Sequence, residues 1–228
     1  MRRSVPYRIA IYDMDKTITR APTWTRFLRF AVARHRRWRA LLWPVAGIAA
    51  IAYGAKLIDR GGLKETTQRW LLGSRLAADR ADALAAGFAD RELAGGLFDD
   101  ALAQIAADRA AGYRLVMATA SYEFYARAIA ERLGFDDVIA TGSERGPDGA
   151  VLARIAGENC YGAAKLRMIE AWFADRSIAR ADAHVRFYSD HVSDAPALGW
   201  ADEGFAVNPH APLRMLAEKR GWTILDWR

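Results

Sequence analysis

The chain of 228 residues contains a single cysteine, Cys160. One cysteine excludes a disulfide framework and any multi-cysteine zinc or iron–sulfur centre. Lysine is scarce: Lys16, Lys56, Lys64, Lys165 and Lys219 are the only lysines among 33 basic residues. A lysine at a motif position therefore stands out. There is no internal repeat and no low-complexity tract. A composition 52% hydrophobic and 26% charged excludes a disordered chain. No targeting signal is visible at the N-terminus. Met1, Arg2 and Arg3 open on a basic note, but the apolar run behind them is short and meets Asp13 and Asp15 with no A-x-A-like site before them. The expectation is a mature start at Met1 and a reducing, cytoplasmic setting. The length suits one domain, or one domain with a modest insertion.

What is present alternates. Tyr7–Tyr12 (YRIAIY), residues 113–119 (YRLVMAT) and residues 185–189 (VRFYS) are short, apolar runs that read as buried parallel strands. Weaker strand-like runs occupy residues 138–140, 204–207 and 222–225. Helical spacing fills residues 99–112, 123–134, 161–175 and 212–221, three of which end at a glycine. Such alternation predicts an α/β fold with a parallel sheet. Residues 23–93 break the pattern. They read as helical throughout, interrupted at Pro44 and at Gly61 and Gly62, with no convincing strand before Asp99. Gly146-Pro147-Asp148-Gly149 between β-like runs predicts a hairpin.

The chemistry collects at strand ends. Asp13-Met14-Asp15-Lys16-Thr17 follows the first strand, and Asp190-His191-Val192-Ser193-Asp194 follows another. Ligands of open α/β sheets bind at that edge. Close carboxylates repel unless a cation lies between them, and a hard, oxygen-seeking ion such as Mg²⁺ answers that need. Thr119, followed by the small residues Ala120 and Ser121, ends a third strand where backbone N–H groups can approach a phosphate. Lys165 lies near the start of a helix. The net charge of +6 is compatible with an anionic substrate, an anionic membrane or nucleic acid, or with a solvated arginine-rich surface. The arginines are spread without an aromatic platform, which speaks against nucleic acid.

In order and spacing these segments (DMDKT, LVMATAS, Lys165, YSDHVSD) resemble the haloacid dehalogenase superfamily. With 46 residues from Thr119 to Lys165 and 25 from Lys165 to Asp190, they are similar to its phosphoserine-phosphatase-like branch. The resemblance implies a Rossmann-like core, residues 1–20 and 99–228, with an all-helical cap at 21–98. It implies a Mg²⁺-dependent phosphomonoester hydrolase. Asp13 would be the nucleophile that forms an aspartyl-phosphate, and Asp15 the general acid and base. Thr119, Ala120 and Lys165 would bind phosphate. Asp13, Asp190 and the main-chain carbonyl of Asp15 would hold the metal, with Asp194 orienting that shell. Transfer to an acceptor other than water, or a non-catalytic phosphate-binding or membrane-docking module, are the alternatives.

Three departures from the family pattern stand out. Lys16 is a bulky cation beside the nucleophile. Ser-Asp-His replaces the frequent Gly-Asp-Gly, which raises the question of whether His191 touches the site or merely packs. Residues 18–25 contain no acid to meet a substrate ammonium, which counts against phosphoserine.

The cap carries an uncharged run, LLWPVAGIAAIAYGA, from Leu41 to the alanine at 55. As a helix its 15 residues span roughly 22 Å at ~1.5 Å per residue, short of a ~30 Å hydrocarbon core. Arg34, Arg36, Arg37 and Arg39 precede it, and Lys56 and Arg60 follow. The run fits a helix packed on the core or in a dimer interface, peripheral contact with an inner membrane face, or, less well, a span. The segment also resembles the cap of phosphatidylglycerophosphatase-type members, so the substrate is either a small phosphoester or a lipid phosphate. Oligomeric state is open.

Overall fold

A computed structural model describes residues 7–228. Met1, Arg2 and Arg3, on which the reading of the N-terminus rests, lie outside the described residues.

The first strand, β1 (Tyr7–Tyr12), leads into four helices: α1 (Thr23–His35), α2 (Trp43–Gly54), α3 (Arg60–Leu71) and α4 (Ala78–Leu93), with a 3₁₀ turn at Arg37–Leu42 and a two-residue strand, β2 (Arg75–Leu76), between α3 and α4. Then follow α5 (Asp99–Ala110), β3 (Arg114–Tyr122), α6 (Glu123–Arg132), β4 (Asp137–Arg145), β5 (Val151–Ala156), α7 (Ala163–Asp175), β6 (Ala183–Ser189), α8 (Ala195–Trp200), β7 (Glu203–Val207), α9 (Ala211–Arg220) and β8 (Thr223–Leu225). The sheet runs β2-β5-β4-β3-β1-β6-β7-β8. From β4 to β8 in that order all pairings are parallel; β5 and β2 are added antiparallel at one edge.

The apolar run of β1 reflects burial on both faces. Ile9 and Ile11 belong to one core with Val116, Val185 and Phe187; Ala10 and Tyr12 belong to the other with Leu115, Met117 and Tyr188. Strand order reverses around β1, which has β3 on one side and β6 on the other. The carboxyl ends of these three strands therefore open side by side, the usual ligand crevice of such sheets.

The inserted helices share the second of these cores. Phe27 of α1 stacks on Tyr125 of α6 at 4.6 Å and meets Phe88 of α4 edge-on at 5.3 Å. The Trp24 indole N–H donates to Thr67 Oγ1 of α3 at 3.1 Å.

Two expectations for this region are corrected. Arg75 and Leu76 do form a strand, paired with Leu152 and Val151 of β5. Two residues carry no periodicity, so only the partner reveals it. Gly61 and Gly62 do not break a helix; they form the first turn of α3, where the Asp59 carboxylate accepts from Gly62 N–H at 2.7 Å. A capping acid lets glycine open the helix, and the break falls earlier, where Lys56 sits at φ +60°. The expected interruption at Pro44 is present: the 3₁₀ turn ends at Leu42 and the proline stands in the first turn of α2. The predicted hairpin at residues 146–149 joins β4 and β5.

The apolar run is divided between the 3₁₀ turn and α2. Ala46 and Ala49 face inward, whereas Leu41, Ile48 and Ile51 are 80%, 60% and 72% exposed. Among the described residues no helix is long and apolar enough to cross a membrane. Arg39 is not a free member of the basic flank, because its guanidinium caps the last carbonyls of α3, at Arg69 and Trp70.

Candidate active site

A cleft of about 180 Å³ brings Asp13, Asp15, Thr119, Ala120, Lys165, Asp190 and Asp194 together. Every site residue read from the sequence lines it. They reach it from the carboxyl-end region of a strand, except Lys165 from the N-terminus of α7 and Asp194 from the 3₁₀ turn that leads into α8.

Lys165 is the hub. It is 2% exposed, in the first turn of α7, and its Nζ donates to Asp13 Oδ1 at 2.7 Å and to Asp194 Oδ2 at 2.6 Å. Gly162, at φ +60° and ψ −132°, makes the turn into α7, a conformation that a side chain resists. Burial opposes the Lys165 charge, but the two carboxylates override it and hold its pKa above the ordinary lysine value.

The carboxylates outnumber this cation. Burial, with Asp194 and Asp190 adding to it against the pull of Lys165, pushes Asp13 up to about 8. Burial also lifts Asp190 to about 6, against the partial relief of Lys16. Asp194 Oδ2 accepts a second bond, from Ser189 Oγ at 2.8 Å, while its Oδ1 is buried without a partner. A buried, unfilled carboxylate oxygen beside two strained carboxyl groups is what a hard cation would relieve. Among the described residues no cluster of three His, Cys, Asp or Glu side chains stands ready to hold a metal. The expected set needs only the carboxylates of Asp13 and Asp190 and a main-chain carbonyl, and it fits.

Asp15 is held differently. Its Oδ1 accepts from Thr23 N–H at 2.8 Å and Thr23 Oγ1 at 2.7 Å, and its Oδ2 from Ser121 Oγ at 3.1 Å. It thus caps the start of α1, where the helix dipole favours an anion. Thr119 is fully buried, and its Oγ1 accepts from Ser121 N–H at 3.1 Å. Lys16 is exposed at φ +60°, a strained conformation for a non-glycine residue. His191 lines the cleft and stacks on His210 at 4.4 Å. Burial pushes the Cys160 thiol up to about 12, leaving it inert.

Sequence reasoning missed Thr23, Arg60, Lys64 and Tyr161. Arg60 and Tyr161 line the cleft. Lys64 is 6% exposed, and its ammonium donates to the Ala120 carbonyl and to Asn159 Oδ1 at 2.6 Å. Burial, then the Arg60 charge, brings its pKa down to about 8. The scarcity of lysine was the one signal that could have marked it.

Residues 10–199 match the family described as haloacid dehalogenase-like hydrolase, and the chain belongs to that family. It is 29% identical over 119 residues to a histidinol-phosphatase of Neisseria meningitidis, covering 52% of this chain and 54% of the relative. It therefore spans about half of that protein. It is 29% identical over 233 residues to phosphoserine phosphatase SerB1 of Mycobacterium tuberculosis, covering 96% of this chain and 70% of the relative. A crystal structure of a protein with unknown function from Bordetella pertussis superposes with a TM-score of 0.87 at 25% identity, over 97% of this chain and 99% of the other.

Proposed function

We propose that the protein is a Mg²⁺-dependent phosphomonoester hydrolase that works through a phosphoryl-aspartate on Asp13, with its substrate chosen by the inserted helical cap. The observation that carries this reading is the convergence of Asp13 and Asp194 on one buried lysine, with Asp190 lining the same cleft and a carboxylate oxygen left unfilled. Two relatives bear the names of phosphatases acting on small phosphoesters, which supports the same chemistry here.

An Asp13 oxygen attacks phosphorus as the bond to the leaving oxygen breaks. Asp15 gives that oxygen its proton. The resulting carboxylate takes a proton from water, which attacks phosphorus and releases Asp13 and phosphate. Lys165, Thr119 and the Ala120 N–H neutralise the transferring oxygens. Asp13, Asp190 and the Asp15 carbonyl would hold Mg²⁺, which when bound draws charge from the phosphoryl oxygens. To act as an acid, Asp15 must exchange one of its present donors for the leaving oxygen. Thr23 lies on α1, so the acid and the cap are linked through that exchange. Phosphate release from a panel of phosphomonoesters, lipid phosphates included, should vanish with a chelator and return with Mg²⁺. Release indifferent to both would overturn the reading. Added alcohols, with product analysis, separate hydrolysis from transfer.

Exposed Leu41, Ile48, Ile51 and Leu57, in the segment that follows exposed Arg36 and Arg37 in the chain, support peripheral docking of this segment on anionic lipid. Each such arginine adds about 1 kcal/mol near the surface, screened by salt. Co-sedimentation with anionic vesicles should fall with salt and with Arg36→Glu plus Arg37→Glu. No binding at low salt would end this part of the reading.

A further inference from the structure

A second cavity, of about 750 Å³, adjoins the cleft, and Arg60 and Tyr161 line both. The small cleft suits a phosphoryl group; the larger space, sharing that wall, offers room for its leaving group. Tyr53, Leu57 and Ile58 supply much of the second wall. Two of its polar groups are engaged elsewhere, while exposed Lys56 adds a cation to the same wall. Asp59 caps α3, and Asn159 Oδ1 accepts from Lys64 Nζ at 2.6 Å and Thr141 Oγ1 at 2.9 Å. Asp59 is the one carboxylate of the lining, and the cations Lys56 and Arg60 on the same wall outnumber it, which disfavours a substrate ammonium.

Arg60 stands at the junction. It is the first residue of α3, where the helix dipole disfavours a cation. Lys64 follows one turn later, a like-charge pair that weakens the helix further. Its guanidinium lies over the Tyr161 ring at 4.1 Å, and it forms no ion pair among the described residues. Apart from the cation–π contact with Tyr161, no carboxylate answers this charge among the described residues; an anion in the cleft would.

We infer that the substrate is a phosphomonoester of an apolar alcohol. Its phosphate lies in the cleft under Arg60, and its alkyl or aryl chain lies in the cavity walled by Tyr53, Leu57 and Ile58. This rests on the hydrolase reading for turnover, but not for binding. Leu57 is 77% exposed at the cavity rim, so a chain longer than the cavity can continue outward.

The test uses the full chain with Mg²⁺ and monomeric ethyl, butyl, hexyl and octyl phosphate. The ratio kcat/KM should rise about twofold per methylene, as for a chain half removed from water. Leu57→Asp and Ile58→Asp should collapse the octyl-to-ethyl ratio toward one, whereas Met215→Asp, at an exposed position of α9, should not. Calorimetric binding of octylphosphonate against ethylphosphonate needs no turnover. Tighter octyl binding supports the cavity even if no ester is hydrolysed, an outcome that would defeat the hydrolase reading alone. Equal binding, or a flat chain-length series with active enzyme, overturns the inference and spares the hydrolase. Turnover of phosphatidate in vesicles would assign the chain to a lipid. Octyl preference without vesicle turnover would assign it to a soluble amphiphile. Both support the proposal.

Discussion

Two groups of buried carboxylates flank the same strand, and the fold treats them in opposite ways. Asp108 of α5 is fully buried, and each of its oxygens is filled twice. Oδ2 accepts from Tyr12 at 2.5 Å and Tyr188 at 2.9 Å; Oδ1 accepts from Arg186 at 2.6 Å and Gln104 at 3.2 Å. At the strand end, Asp13 and Asp194 share one lysine, Asp190 lines the same cleft, and an oxygen is left bare. A satisfied carboxylate is a structural part. At the strand end, the bare oxygen lining a cleft marks a place for charge from outside.

The sharpest way to break the contrast is to remove a carboxylate from each side. Asp108→Ala leaves Arg186 and two tyrosine hydroxyls without their buried acceptor, and such losses cost about 3–5 kcal/mol. Denaturant unfolding should register that loss, with turnover per folded molecule retained. Unchanged stability would erase the distinction.

The chain order made half of this contrast visible. The acids at 13, 15, 190 and 194 each follow an apolar strand, so a local pattern places them at the sheet edge. Asp108 sits in a helix among alanines and arginines, and nothing local separates it from a surface acid. Its partners Tyr12, Tyr188 and Arg186 come from β1 and β6, contacts that only the folded sheet creates. The same holds for Thr23 on Asp15, Lys64 on the Ala120 carbonyl and β2 on β5. The parallel sheet and most element boundaries followed from period and glycine stops. The position of the glycine pair in α3 did not, because Asp59 turns a breaker into a helix start.

A smaller effect should appear with pH. Asp13 at about 8 and Asp190 at about 6 bind protons in the folded state that the unfolded chain has released. Unfolding stability of the metal-free protein must then decline as pH rises through the window from about 4 to 8. Mg²⁺ holds these carboxylates ionised and should flatten the decline. Thermal melts across that range, with chelator and with Mg²⁺, check it. A metal-free profile that rises with pH over the upper half of the window contradicts the raised values.

Smaller still is Lys64→Met. It removes three hydrogen bonds from α3, to the Ala120 carbonyl, Thr141 Oγ1 and Asn159 Oδ1, but it also removes a buried charge whose pKa is depressed. A net loss of about 1–2 kcal/mol follows, read by chemical denaturation, together with a raised KM as the phosphate turn loosens. No change in either would make this lysine incidental.

The most direct measurement is phosphate release by Asp13→Asn beside the wild-type chain in saturating Mg²⁺, with a thermal melt of each. If the strand-end carboxylates are the reactive group and Asp13 the nucleophile, the variant should melt no lower than the wild type, since it sheds a strained buried charge. Its turnover should drop on the order of a thousandfold or more. A folded Asp13→Asn protein that turns over at the wild-type rate contradicts the account.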